Sequence, residues 1–128
     1  MACPGLKLLH LNDMSVKIYH NPRCSKSRQT LDIIQNNNIE LEIIKYLETP
    51  PSVQELTDIL DMLGLEPDDI MRKREAEYKA AGLDKPNLSR KQKIELMVQY
   101  PKVIERPIVV NNGKAALGRP PEQVKNIL

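Results

Sequence analysis

The chain has 128 residues, enough for one domain with a real core and little for a second, and its 19 Lys and Arg against 17 Asp and Glu give a formal charge of +2. These charges are spread along the chain, so no polybasic run points to nucleic acid, and no apolar run approaches the roughly 18 residues of a membrane helix. The two cysteines form neither a disulfide framework nor a metal-ligand spacing, and cysteine this sparse suits a reducing cytosol.

In chain order, Met1 to Asp13 holds Leu6, Leu8, Leu9 and Leu11 with one lysine, but no small-residue cleavage site follows, so it does not read as a signal peptide. Residues 1–13 are taken as an extension or alternative-start leader, residues 14–128 as a single domain, and Cys3 as carrying little functional weight. Val16, Ile18 and Tyr19 predict a first strand, Asn21-Pro22 a turn, and Leu31 and Ile34 a helix from Ser25 to Gln35. Cys24 then falls at or just before the first helical turn. Unpaired N–H groups and the helix dipole there favour an anion. Arg23, Lys26, Arg28 and His20 add positive charge, and such surroundings lower a thiol pKa from about 8.5 to roughly 3.5–7.5. The reading is an activated nucleophile; the alternative is a buried cysteine acting as a small hydrophobe.

Asn36-Asn37-Asn38 offers a left-handed residue to close that helix. Ile39 to Leu47, with Leu41, Ile43 and Tyr46 alternating against polar residues, predicts a second strand and completes a βαβ unit with a right-handed crossover. Thr49-Pro50-Pro51 ends it. From about 52 to 100 the pattern is helical throughout, with capping boxes at Ser52-Val53-Gln54-Glu55 and Ser89-Arg90-Lys91-Gln92 and a stop at Gly64. A short helical piece at Glu66-Pro67-Asp68-Asp69 and a helix closed by Gly82 lie between them. Strand signals return at Ile108-Val109-Val110 and Lys114 to Leu117, joined by Asn112-Gly113 as a hairpin turn. Pro120-Pro121-Glu122 opens a last helix. The order is βαβ, a run of helices, then ββα.

That order, with a cysteine at the first strand-to-helix turn and an X-Pro before the third strand, resembles the thioredoxin-like α/β fold with an inserted all-helical subdomain. His20-Asn21-Pro22-Arg23-Cys24-Ser25-Lys26-Ser27-Arg28, Tyr46-Leu47-Glu48-Thr49-Pro50-Pro51, Met71-Arg72-Lys73, Glu105-Arg106-Pro107 and Gly118-Arg119-Pro120 together resemble the glutaredoxin-coupled arsenate reductase family. The resemblance implies Cys24 as nucleophile and Arg72, Arg106 and Arg119 as oxyanion-binding residues. It gives His20 and Asn21 supporting roles beside the thiol and makes Pro107 the cis-proline of the fold. It further implies reduction of arsenate to arsenite, glutathione as co-substrate with no bound cofactor, glutaredoxin as partner, and a cytoplasmic monomer serving arsenical resistance. Neither nucleic acid nor membrane enters.

The residues keep their plainer readings. Guanidinium groups match tetrahedral oxyanions with two parallel hydrogen bonds, but a lone arginine is usually a solvated surface charge, the alternative for Arg72 in its basic run and for Arg106 and Arg119 beside proline. His20 also reads as a packed turn residue. Ser27 reads as a helix cap, or as a donor to the sulfur. Arg28 reads as cover for the helix face. The pattern Cys24-Ser25-Lys26-Ser27 lacks a second thiol, which favours an external resolving thiol over an internal disulfide. The rival functions are a glutathione-dependent thiol reductase with another substrate and an Spx-like transcription regulator, whose usual redox switch is a C-x-x-C.

Overall fold

The computed structural model describes residues 16–37 and 39–128; the leader, Cys3 and Asn38 lie outside the described residues. Strand β1 (Val16–His20) pairs in parallel with β2 (Leu41–Lys45) and antiparallel with β3 (Ile108–Asn111), which pairs antiparallel with β4 (Lys114–Leu117). The sheet order is β2-β1-β3-β4. Helix α1 (Ser25–Asn36) joins β1 to β2. Between β2 and β3 come α2 (Val53–Leu63), a 3₁₀ turn (Pro67–Ile70), α3 (Ala76–Ala80), α4 (Arg90–Gln99) and a second 3₁₀ turn (Pro101–Val103). This is the thioredoxin-like core with its helical insertion. Among the described residues, no helix is long and apolar enough to cross a membrane.

The register explains two cores on one sheet. Ile18 stands opposite Ile43 and Val109, while Tyr19 stands opposite Ile44 and Ile108, so alternate residues supply opposite faces. Val16, Ile18 and Val109 meet Ile34 of α1 and Val124 of the terminal turn. Tyr19 and Ile108 meet Leu56, Leu60, Ile94 and Met97 of the insertion. Each such aliphatic side chain, taken fully from water, stabilises by about 1.5–3 kcal/mol.

Both expected capping boxes form: Ser52 Oγ accepts from Glu55 N–H at 3.0 Å, and Ser89 Oγ from Gln92 N–H at 3.1 Å. Gly64 closes α2 at φ +68° and Asn112-Gly113 turns the hairpin at φ +53° and +78°, the left-handed values such positions need. Several expectations change. Asn37 ends α1 at φ −92°, so at that position no left-handed asparagine is used. Strand β2 is shorter than 39–47 because the chain turns at Lys45, whose carbonyl accepts from both Glu48 and Thr49 N–H at 2.9 Å. Ile43 sits 43% exposed at the sheet edge, and Ile44 packs inward instead.

The insertion is not helical throughout. Met71 forms an antiparallel bridge with Ile104, flanked by Arg72 N–H to Val103 O and Glu105 N–H to Ile70 O, both 2.7 Å. The final helix is a 3₁₀ turn, Pro121–Ile127.

Gly118 is where β4 comes down onto α1 and the segment before β3. A Cβ there would lie 2.6 Å from Pro107 Cγ and would collide with Thr30 Oγ1, so no side chain fits unless these neighbours shift. Gly118→Ala is therefore expected to destabilise the fold by about 1–3 kcal/mol, as overpacked positions do, measured by urea unfolding. Wild-type stability in that variant would show that the contact relaxes freely.

Candidate active site

The turn that carries the cysteine is built by its own backbone. Cys24 N–H donates to Asn21 O at 3.0 Å, Asn21 Oδ1 accepts from Arg23 N–H at 3.0 Å, and Pro22 presets the intervening corner. Arg28 reaches back from α1 and donates to Pro22 O at 2.8 Å, so it clamps this turn rather than covering the helix.

Cys24 itself is the N-cap residue, half-buried. Ser27 is a fully buried residue of the helix's first turn, not its cap, and its hydroxyl accepts from Asn21 N–H at 3.0 Å and pairs with His20 Nδ1 at 2.6 Å. Burial first, then Lys45 and Arg28, push the His20 pKa below its usual value, so the ring is neutral near neutral pH. His20 thus supports the turn as a packed residue.

The thiol has the opposite balance. Burial pushes its pKa up, but the nearby Ser27 N–H, the charge of Arg106 and the Lys26 N–H together bring it below the ordinary cysteine value. The sulfur makes no conventional capping bond, so the N–H groups act on it as aligned dipoles.

The three arginines that the resemblance names come from three separate connecting segments and line adjoining hollows. Arg119, just past β4, places Nη2 3.9 Å from the Cys24 sulfur while its Nε donates to Arg106 O at 2.8 Å. Arg72 is held out of the insertion by the Met71 bridge, and its Nη1 donates to Glu75 Oε2 at 2.9 Å. Arg106 precedes Pro107, and the Arg106–Pro107 bond is cis, as is Arg119–Pro120.

Sequence reasoning missed two members. Glu105 Oε1 lies 2.9 Å from Arg119 Nε and 3.8 Å from Arg72 Nε, tying two guanidinium groups to one carboxylate. Tyr46 is 1% exposed and donates to Ile104 O at 3.4 Å. Burial pushes its pKa up to about 12 against the pull of Arg106 and Arg72, with Cys24 and Glu105 adding to the rise. Tyr46 and Glu105 each stand in a motif that carries the resemblance, but no site role attaches to either from the sequence.

Arg106 differs from its two companions. It forms no ion pair among the described residues, and its buried Nε has no hydrogen-bond acceptor. Buried donors are nearly always satisfied, so an unfilled one at the edge of a cleft marks where a ligand oxygen would go. A hollow of about 190 Å³, lined in part by Asn21, Tyr46, Arg72 and Arg106, opens there. Among the described residues no group of His, Cys, Asp and Glu could hold a metal ion.

The sequence profile of the ArsC family matches residues 19–127. The uncharacterised protein YfgD of Escherichia coli strain K12 is 52% identical over 114 residues, spanning 88% of this chain and 96% of that protein. An arsenate reductase of Haemophilus influenzae is 46% identical over 118 residues, 90% of this chain and all of the relative. The solved structure of an arsenate reductase from Vibrio cholerae superposes with a TM-score of 0.85 at 53% identity, covering 91% of this chain and 100% of that one.

The Cys24 thiolate should form below the ordinary range, so iodoacetamide alkylation rates should rise to a plateau with an inflection below the roughly 8.5 of a free cysteine. Arg106→Gln removes a cause that lowers the pKa and should move the inflection upward. An unmoved inflection would mean that the guanidinium does not reach the sulfur.

Proposed function

The chain belongs to the ArsC family, and on that premise we propose that it reduces arsenate to arsenite, using Cys24 as the nucleophile and glutathione with glutaredoxin as the source of electrons. The observation that carries this reading is Arg106, unpaired among the described residues and with no acceptor among them for its buried Nε, beside a thiol of lowered pKa. An anion is what such a place takes.

The Cys24 thiolate attacks arsenic and a hydroxide or water leaves, giving a Cys24–arsenic(V) adduct. Arg72, Arg106 and Arg119 hold its oxygens and offset their charge. The glutathione thiol then displaces a second arsenic-bound oxygen as water, the thiol proton leaving with it, to give a Cys24–arsenic(V)–glutathione adduct. A glutaredoxin thiolate takes the glutathione sulfur, the electron pair of the broken sulfur–arsenic bond stays on arsenic, and water releases arsenite from Cys24. We take the enzyme to act as a cytoplasmic monomer without a bound cofactor, as one domain over residues 14–128, in arsenical resistance. A regulator of the Spx type would place its second thiol at position 27. Ser27 instead fills that position, buried and bonded to His20.

The test is arsenate-dependent NADPH oxidation coupled through glutathione, glutaredoxin and glutathione reductase. Cys24→Ser should abolish it with the fold retained, and a variant keeping a tenth of the rate would remove Cys24 from its role. Arg106→Lys keeps the charge but loses the planar pair of donors. Losing one charge-assisted hydrogen bond of about 1.5–3 kcal/mol should cut arsenate kcat/KM roughly ten- to a hundred-fold. Alkylation of Cys24 by neutral iodoacetamide should fall much less. Equal losses in both assays would make Arg106 a tuner of the thiol and not a substrate ligand.

A further inference from the structure

Glu105 is an acidic side chain set among the arginines of an anion site, which looks at first like a defect. Among the described residues its Oε1 lies 2.9 Å from Arg119 Nε and 3.8 Å from Arg72 Nε and accepts from the Arg106 N–H at 3.4 Å. Its Oε2 accepts no hydrogen bond from the described residues, and the side chain, 24% exposed, faces an open hollow shared with Arg72 and Arg119. The same Arg119 guanidinium that meets this carboxylate through Nε places its Nη2 3.9 Å from Cys24 Sγ.

A carboxylate oxygen can only accept a hydrogen bond. An anion seated beside it must either bring a proton to share or meet a repulsion, and a site can discriminate by such a penalty as well as by attraction. Phosphate and arsenate keep at least one O–H near neutral pH, whereas sulfate is fully ionised and presents acceptors alone. We propose that Glu105 is a specificity-determining residue: its free Oε2 accepts the O–H of a protonated tetrahedral oxyanion held by Arg72, Arg106 and Arg119, and its charge turns sulfate away. The inference rests on the oxyanion reading of the site and adds to it the class of anion admitted.

The probes are inorganic phosphate and sulfate at matched ionic strength near neutral pH, each titrated for protection of Cys24 from iodoacetamide in a Cys3→Ser background. Phosphate should protect the wild-type site at about ten-fold lower concentration than sulfate, or better, the factor one hydrogen bond to a charged group supplies. Glu105→Gln, whose amide donates as well as accepts, should narrow that ratio about ten-fold by gaining sulfate. Glu105→Ala should narrow it too, and thermal melting shows which variants are folded before they are titrated.

Equal protection by the two anions in the wild type overturns the proposal with no variant needed. An unchanged ratio in a folded variant overturns it, as does an equal loss of both anions, which would make Glu105 a brace for the arginines and nothing more. Protection reads binding and not turnover. A chain that prefers phosphate to sulfate but never reduces arsenate would sink the reductase reading alone, and one that reduces arsenate without the preference would sink this one alone.

Discussion

Arg72, Arg106 and Arg119 line adjoining hollows and repel each other, and two like charges about 4 Å apart cost about 4 kcal/mol at the effective dielectric near a protein surface. The site is organised around relieving that repulsion. Glu105 takes two of the three arginines on one oxygen, Glu75 takes a second edge of Arg72, and the Arg106 carbonyl takes Arg119 Nε. Arg106 alone keeps its charge uncompensated among the described residues. The surplus is therefore a single positive charge, and the charge of Arg106 helps to lower the thiol pKa.

Holding those charges requires the insertion and the core to meet at a fixed point. The Met71–Ile104 bridge and its two flanking hydrogen bonds supply it, one strand-like step in a segment that the sequence presents as all helix. A single bridge carries no alternating run of side chains, so periodicity has nothing to register. The bridge sets Arg72 and Glu105 on adjoining strands of chain although more than thirty residues separate them. Gly118 performs the matching task on the other side, letting the end of β4 approach Thr30 and Pro107 closely enough for Arg119 to reach the sulfur.

Most elements of the fold were legible because their signals are local. Ser52 and Ser89 announce their helices through side chains bonding three residues on, and Asn112-Gly113 announces a turn needing two positive φ values. Cys24 at the start of α1 followed from the same kind of evidence. Burial of a strand at the sheet edge was not legible: Ile43 and Ile44 are chemically alike, and only the position of α1 and the insertion decides which is covered. The convergence of Arg72, Arg106 and Arg119 came from resemblance and not from spacing. Their carboxylate partner was missed because a Glu between Ile104 and Arg106 reads as one more solvated charge until the fold brings Arg119 to it.

Tyr46 lies beneath this assembly, buried, its hydroxyl within the electrostatic reach of Arg106, Arg72, Cys24 and Glu105. The chain has no tryptophan and only 4 tyrosines. Its ultraviolet emission therefore comes from tyrosine alone, unmasked by a brighter indole, and one of the emitters is seated in the field of the charges around Cys24. An anion arriving at Arg106, or a sulfur changing its charge, alters the surroundings of that phenol directly, so the protein carries an intrinsic optical reporter of its own site without any label.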